Sequence, residues 1–329
     1  METFLPTYSV AIRTLGKAGK LYQNLLDSLL VQSHKPEKIV IYIADGYPIP
    51  AETIGIEQYV YVSKGMVAQR ALLYKEIESE YILMLDDDAV LAPDSVEKLF
   101  SGLLSDPRAK CIAVNSFANH QWTWREKLKY ALFGTTPRKS DGYAFRVKNN
   151  ICYSYNINPE GDVLRTESFA GVAFLIHADT FRSINFADER WMDEFGYAIG
   201  DDLLLAQKLL FNGHTSLVHY NSGVVHQDAK TGHLRSNFAD KLEHNTCLLY
   251  VVWHRIRSSA NSNSIPFLIY VDYWISVIWK SLLYVLISIY MMNFKVILGY
   301  WTGLRKGVVY TRSPKYKSLK PFIVTGKKQ

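Results

Sequence analysis

Three consecutive aspartates, Asp86-Asp87-Asp88, close the run YILML at 81–85, and a second acidic pair, Asp201-Asp202, opens the apolar stretch LLLA at 203–206. Adjacent carboxylates repel one another unless a cation sits among them. The triplet therefore implies a divalent metal. Carboxylates two residues apart can be brought to one ion, and oxygen ligation of this kind suits Mg2+ or Mn2+, which keep waters and also take phosphate oxygens. The third party implied is a diphosphate. A plainer reading of the triplet is a solvated or helix-capping loop. For Asp201-Asp202 the plainer reading is the N-terminus of a helix over Leu203 to Asn212, which aspartate stabilises well.

The elements that must position these acids are legible from periodicity. YSVAIR at 8–13, KIVIYIA at 38–44, QYVYV at 58–62 and YILML at 81–85 read as strands. Leu21, Leu25 and Leu29 with Tyr22, Leu26 and Leu30 mark an apolar helical face, and Lys64 to Glu78 reads as a second helix. The continuous apolar character of KIVIYIA predicts burial on both faces, as in a parallel sheet. Strands and helices alternate as βα units do, so the expected fold class is α/β. In open sheets of this kind ligands sit beyond the carboxyl ends of the strands, where strand order reverses. Asp45 and the aspartate triplet both fall at such ends.

Composition bounds the possibilities. The chain has 329 residues, 48% hydrophobic and 21% charged, enough for one large core or two smaller ones. Cys111, Cys152 and Cys247 are far apart and odd in number, which suggests neither a disulfide framework nor a zinc site and fits a reducing compartment. His214, His219, His226 and His233 follow no zinc spacing. METFLPTYSVAIR carries no secretory signal pattern, so the protein is expected to begin in the cytosol.

The net charge of +6 is unevenly placed. From Tyr273 to Gln329 there is no acidic residue and there are ten basic ones, so the remainder of the chain is net acidic. That argues against a nucleic-acid footprint and for a basic tail facing something anionic. The tail opens with YWISVIWKSLLYVLISIYMMNF at 273–294, dense in aromatic and aliphatic residues, in which Asp272, Ser276, Lys280, Tyr284 and Ser288 draw a polar stripe at helical spacing. A single span would set the basic tail across the membrane from a cytosolic domain, against the positive-inside tendency. The expectation is peripheral or hairpin attachment to the cytoplasmic face of a membrane, on anionic lipid.

The ordered set Ile12-Arg13-Thr14, Ala44-Asp45-Gly46, Gly65 with Arg70, Leu85-Asp86-Asp87-Asp88, Ala170-Gly171 and Gly200-Asp201-Asp202 resembles the family 2 glycosyltransferases of the GT-A fold, over roughly Ser9 to His226. The resemblance implies a Rossmann-like mixed sheet flanked by helices, with a catalytic domain at 1–260, its nucleotide-sugar part about 1–118 and its acceptor part about 119–260. Residues 261–329 would then be a membrane-associating helical segment and basic tail. It also implies a UDP-, GDP- or dTDP-linked sugar donor, Mg2+ or Mn2+, and inversion at the anomeric carbon.

Residue roles carry over from that resemblance. Asp45 matches the nucleotide-base contact, and Thr14 lies in the loop lining the same pocket. Asp86 and Asp88 match the outer members of the D-x-D motif, with Asp88 the metal ligand, Asp86 a ribose or metal contact and Asp87 between them. Arg70 matches a basic residue near the diphosphate, although Ala71 stands where an asparagine is usual. Asp202 matches the catalytic base, and Asp201 replaces the usual glutamate beside it. His226 matches a histidine near the diphosphate or metal, and Trp191 and Glu194 are expected to shape the acceptor pocket. The acceptor implied is a glycan or lipid-linked glycan, in a setting such as bacterial surface-polysaccharide synthesis.

Rival readings lack their signatures. A sugar nucleotidyltransferase should carry a glycine-rich loop after the first strand, which RTLGKAGK at 13–20 does not make, and no phosphate-cradling P-loop is present. A catalytically silent nucleotide-sugar binder would not require Asp45, Asp86, Asp88 and Asp202 together. Asn119 to Glu167 reads as an insertion on the acceptor side, a lid or a lipid-facing surface.

Overall fold

The computed structural model describes residues 5–116, 122–227, 237–260 and 264–322; His233, Lys327 and Lys328 lie outside the described residues. The strands are β1 Tyr8–Thr14, β2 Ile39–Ala44, β3 Glu57–Val62, β4 Tyr81–Asp86, β5 Ala89–Leu91, β6 Ala109–Val114, β7 Thr136–Arg138, β8 Phe145–Val147, β9 Tyr153–Asn156, β10 Val163–Thr166, β11 Ala173–His177, β12 Thr215–His219 and β13 Val224–His226. The helices are α1 Lys20–Leu30, α2 Met66–Arg70, α3 Ser95–Leu104, α4 Trp124–Leu132, α5 Ala178–Ser183, α6 Asp201–Phe211, α7 Phe238–Ser259, α8 Phe267–Tyr290, α9 Lys295–Thr311 and α10 Pro314–Lys317, with a 3-10 segment at Phe186–Phe195.

Eight strands form one mixed sheet in the order β10-β12-β6-β11-β4-β1-β2-β3. β1 runs parallel to both β2 and β4, and β11 lies antiparallel between β4 and β6. The chain leaves β1 on one side through β2 and β3 and returns on the other as β4. The order therefore reverses at β1 and β4, whose carboxyl ends carry Thr14 and Asp86.

Period-two alternation sorts the core into two layers. Tyr8, Val10 and Ile12 pack with Ile39, Ile41 and Ile43 against the buried faces of α1 and α3. Ala11, Val40, Tyr42, Ile82 and Met84 face the opposite layer, which α6, α7 and α9 complete. β2 is buried throughout, as its unbroken apolar run predicts. This is the mixed α/β architecture, a Rossmann-like sheet flanked by helices, that the sequence implies.

The helix expected over Lys64 to Glu78 is shorter: α2 stops at Arg70. Tyr74 adopts φ +48° and its hydroxyl donates to the carbonyls of Gln69 (3.1 Å) and Arg70 (3.0 Å). A side chain thus satisfies the terminal carbonyls that another helical turn would otherwise take.

At the C-terminal end α9 lies directly on α7. Gly299, Gly303 and Gly307 line the contact, and a Cβ on Gly303 would fall 2.2 Å from the carbonyl oxygen of Glu243. Tyr300 and Leu304 of α9 share a core with Tyr250 and Trp253 of α7. The compositional change near residue 260 therefore marks no break in the core.

Candidate active site

The aspartate triplet is divided between two tasks. Asp86 is ion-paired to Arg13, whose Nη1 also donates to the Met66 carbonyl at 3.3 Å. Asp87 accepts from the Thr14 hydroxyl at 2.5 Å, and that hydroxyl in turn accepts from the Gly16 N–H at 2.7 Å. β1 thus engages the first two carboxylates. Burial foremost, with Asp86 and Asp88 beside it, pushes the Asp87 carboxyl up to about 6, against the Thr14 hydrogen bond and Arg13.

Asp88 stands apart from these. β5 pairs antiparallel with β13, setting His226 opposite Ala89, and this register brings His226 Nε2 within 3.2 Å of Asp88 Oδ1. Residues nearly 140 positions apart in sequence thus meet at one point. Among the described residues no three His, Cys, Asp or Glu side chains converge as an all-protein metal cage requires. The pair Asp88 and His226 fits the other kind of site, in which one or two side chains hold Mg2+ or Mn2+ and water and phosphate oxygens complete the shell. Asp86, held by Arg13, lies beside that pair.

Asp45 is exposed just beyond β2, its backbone N–H donating to the Val62 carbonyl at 2.8 Å. Nearby, Tyr47 carries Lys17 Nζ at 4.8 Å and Lys64 Nζ at 5.1 Å from its ring centroid. The hydrogen bond from Lys64 draws the Tyr47 hydroxyl below its ordinary range. Sequence reasoning passes over these three residues. They stand on separate loops at the same end of the sheet, and only the strand order brings them together.

The acid pair is also divided. Arg70 Nη1 donates to Asp201 Oδ2 at 2.5 Å and Nη2 to the Gly171 carbonyl at 3.2 Å, with Arg70 3% and Asp201 4% exposed. Arg70 is therefore a buried residue of α2 whose guanidinium is turned to Asp201. Burial works against its charge, but Asp201, Asp86 and Asp202 outweigh that and keep it protonated. α2 is itself anchored by Asp193, which accepts from the N–H groups of Val67 (2.9 Å) and Ala68 (2.8 Å).

Asp202 accepts from the Leu203 N–H at 2.8 Å and from Gly171. Burial, and then the neighbouring Asp201, push its carboxyl up to about 6, with Arg70 opposing. Asp201 is thus held in an ion pair with Arg70. Asp202 sits in the first turn of α6, whose N-cap is Gly200.

Tyr197 connects the two acidic clusters. Burial, then Asp201, Asp202 and Asp86, all raise its hydroxyl, so it feels both clusters at once. Its carbonyl lies 2.7 Å from His244 Nε2 of α7. Beyond His244 a cavity of about 600 Å3 is lined by Phe195, Cys247, Arg305 and Tyr310, and a second, of about 330 Å3, is lined by Lys129, Leu249, Tyr273 and Lys280. Both cavities flank α7 rather than the aspartate triplet.

The two acceptor residues expected from the sequence are placed differently. Trp191 is core: it is 3% exposed and its Nε1 donates to Glu189 Oε2 at 2.8 Å. Large aromatic area drives it inside, and the buried Glu189 supplies the acceptor its indole N–H needs. Glu194 pairs with Lys315 at 2.5 Å on the surface, tying the 3-10 segment to α10. His219 is buried, with burial lowering its affinity for a proton.

Gly171 permits the Arg70 arrangement. A Cβ there would lie 2.2 Å from Arg70 Nη2. Gly171→Ala is therefore expected to displace a buried guanidinium from Asp201 and to lower the unfolding free energy on the order of 3 kcal/mol, measurable by urea denaturation.

No protein-family model matches the chain. No curated protein matches it either. Solved structures with a similar course include GalNAc-T7 with UDP, GalNAc and Mn2+, at 13% identity and TM-score 0.49, the alignment covering 79% of this chain and 53% of that one. The chain thus spans about half the length of that enzyme. Another is the mannosyltransferase PcManGT from Pyrobaculum calidifontis in complex with GDP-Man and Mn2+, at 13% identity and TM-score 0.46, covering 96% of this chain and 79% of that one. Both likenesses are distant in sequence and in superposition.

Proposed function

We propose that this chain is a metal-dependent glycosyltransferase that moves a sugar from a nucleoside-diphosphate donor to a hydroxyl acceptor. The observation that carries the reading is the convergence at the reversal of strand order. Asp88 with His226 lies just past the end of β4 and Asp202, its carboxyl raised to about 6 by burial and Asp201, in the first turn of α6, with the Tyr197 hydroxyl under the influence of Asp201, Asp202 and Asp86 together.

In this reading Asp88 and His226 would hold Mg2+ or Mn2+, which would supply positive charge where the leaving diphosphate becomes anionic. Asp45 and Thr14 lie at the nucleotide end, and Lys17 and Lys64 add cations at its rim. Asp202 accepts the proton of the acceptor hydroxyl as that oxygen attacks the anomeric carbon and the bond to the diphosphate breaks. Attack from the face opposite the leaving group inverts the centre, consistent with the family 2 resemblance. Asp201, paired with Arg70, positions Asp202. The acceptor is a glycan or lipid-linked glycan, and bacterial surface-polysaccharide synthesis is the setting that resemblance suggests.

The test is to incubate the protein with UDP-, GDP- and dTDP-sugars, with and without Mn2+, and to follow release of the nucleoside diphosphate. Metal-dependent release from one donor, with inverted configuration in the product by NMR, is the expected result. Donor binding with no release would favour a silent nucleotide-sugar binder, and pyrophosphate-dependent chemistry would favour a nucleotidyltransferase.

A further inference from the structure

Helix α8 touches the protein along most of its length. Tyr273 stacks on Trp253 with 3.8 Å between ring centroids, Trp279 Nε1 donates to the Leu132 carbonyl at 2.7 Å, and Lys280 Nζ to Cys152 Sγ at 3.4 Å. Further on, Tyr284 packs on Phe133 and Tyr300, and the Ser288 hydroxyl accepts from the Ile297 N–H at 3.1 Å. Lys280, Tyr284 and Ser288 of the polar stripe are thus turned toward the protein. What remains outward is apolar: Ile275, Ile278, Leu282, Leu286 and Ile289 are exposed, and the face continues into Met292 at 90%. A helix facing water shows the reverse arrangement.

Helix α4 repeats the pattern on a smaller scale. It has no buried residue; Trp124, Leu128 and Leu132 recur every four positions, with Arg125 and Lys127 flanking that face and Trp124 69% exposed. The Trp279–Leu132 hydrogen bond joins α4 to α8, so the two apolar faces adjoin. An exposed patch of this extent marks an interaction surface.

Charge selects the occupant. Tyr273 to Gln329 contains no acidic residue, Lys295 stands exposed at the start of α9 just past the turn, and α4 adds Lys129 to Arg125 and Lys127. Aromatic and aliphatic surface rimmed by cations matches an anionic bilayer, with its apolar boundary beneath acidic headgroups. α8 is, among the described residues, the one helix long and apolar enough to cross a membrane. Its contacts from Tyr273 to Ser288, however, hold roughly 22 Å of it against the domain. Crossing would carry Phe133, Cys152 and their irregular backbone into hydrocarbon, where unsatisfied peptide groups cost several kcal/mol each.

We propose that α4, α8 and the turn between α8 and α9 form one surface that seats the protein on an anionic lipid bilayer, with α8 lying in the interface plane. α4, from the insertion in the catalytic domain, is as much a part of it as the C-terminal helices. The seating does not depend on the donor chemistry.

The experiment is flotation of the full-length protein with phosphatidylcholine vesicles, with and without phosphatidylglycerol. Binding to the anionic vesicles about tenfold tighter than to neutral ones, weakened by salt, is expected. Leu282→Glu/Leu286→Glu in α8 and Trp124→Glu/Leu128→Glu in α4 are each expected to reduce partitioning about tenfold, with unchanged circular dichroism. Leu30→Glu, on an exposed apolar position of α1, should leave it unchanged. Alkaline carbonate should release the bound protein. Absence of vesicle binding, indifference to the α4 substitutions, or carbonate-resistant insertion would each overturn the proposal. Donor turnover measured on the same preparations separates failure of the seating from failure of the proposed activity.

Discussion

Asp202→Asn should lower kcat by about 10²–10⁴-fold, the usual worth of a positioned general base, while leaving KM for the donor nearly unchanged. Asparagine fills nearly the same space, and its side-chain oxygen can still accept from the Leu203 N–H. The pH profile makes the prediction sharper. Burial and Asp201 raise the Asp202 carboxyl to about 6, so below that pH it already holds a proton and cannot take another. Wild-type kcat should therefore climb as pH rises through about 6 and then level off. Asp87 titrates in the same window, and the variant distinguishes the two: the acidic limb should vanish in Asp202→Asn if Asp202 causes it. A kcat within about threefold of wild type would remove Asp202 from the chemistry.

The largest stability effect is expected at Glu189, which is 0% exposed. Its carboxylate receives Arg255 Nη2 at 2.8 Å, Lys208 Nζ at 3.2 Å and the Trp191 indole N–H, joining α6, α7 and the 3-10 segment behind the acid pair. Glu189→Ala leaves the buried Arg255 without its carboxylate and Lys208 with only Asp188, at 3.8 Å, and should lower the unfolding free energy by about 3–5 kcal/mol. Burial already holds the Lys208 ammonium below its ordinary range, with Glu189 the first of the groups opposing it. Removing Glu189 extends the depression. A group that binds its proton less well in the folded state gives stability that grows with pH, so the variant should recover part of its loss as pH rises toward the ordinary lysine range. Urea titrations at several pH values measure both effects. A loss under about 1 kcal/mol would mean the cations find other partners.

The sequence carried the strands well because their signal is local. Unbroken apolar runs such as IVIYIA are buried on both faces, and the acids that end them stand at the carboxyl edge of the sheet. The pairing of Asp88 with His226 was not legible, since the β5–β13 register that creates it is a long-range event. Which carboxylate faces which cation was not legible at all. Arg13 holding Asp86 and Arg70 holding Asp201 depend on side chains crossing between elements. Tyr74 ended a helix that periodicity extended to Glu78, because its hydroxyl caps α2 from the following turn. The polar stripe on α8 is visible in its spacing, but its direction follows from what α7 and α9 offer it. Gly299, Gly303 and Gly307 were in plain view at a spacing of four, and that spacing is the sequence signal of the α7–α9 contact.

The most direct test of the central claim is nucleoside-diphosphate release from the preferred donor as a function of Mn2+, in wild type and in Asp88→Ala. Saturable, metal-dependent release in wild type, lost in the variant while its melting temperature is maintained, is the predicted result. Equal turnover in the two proteins, or turnover indifferent to metal in wild type, would contradict a metal-assisted transfer centred on Asp88.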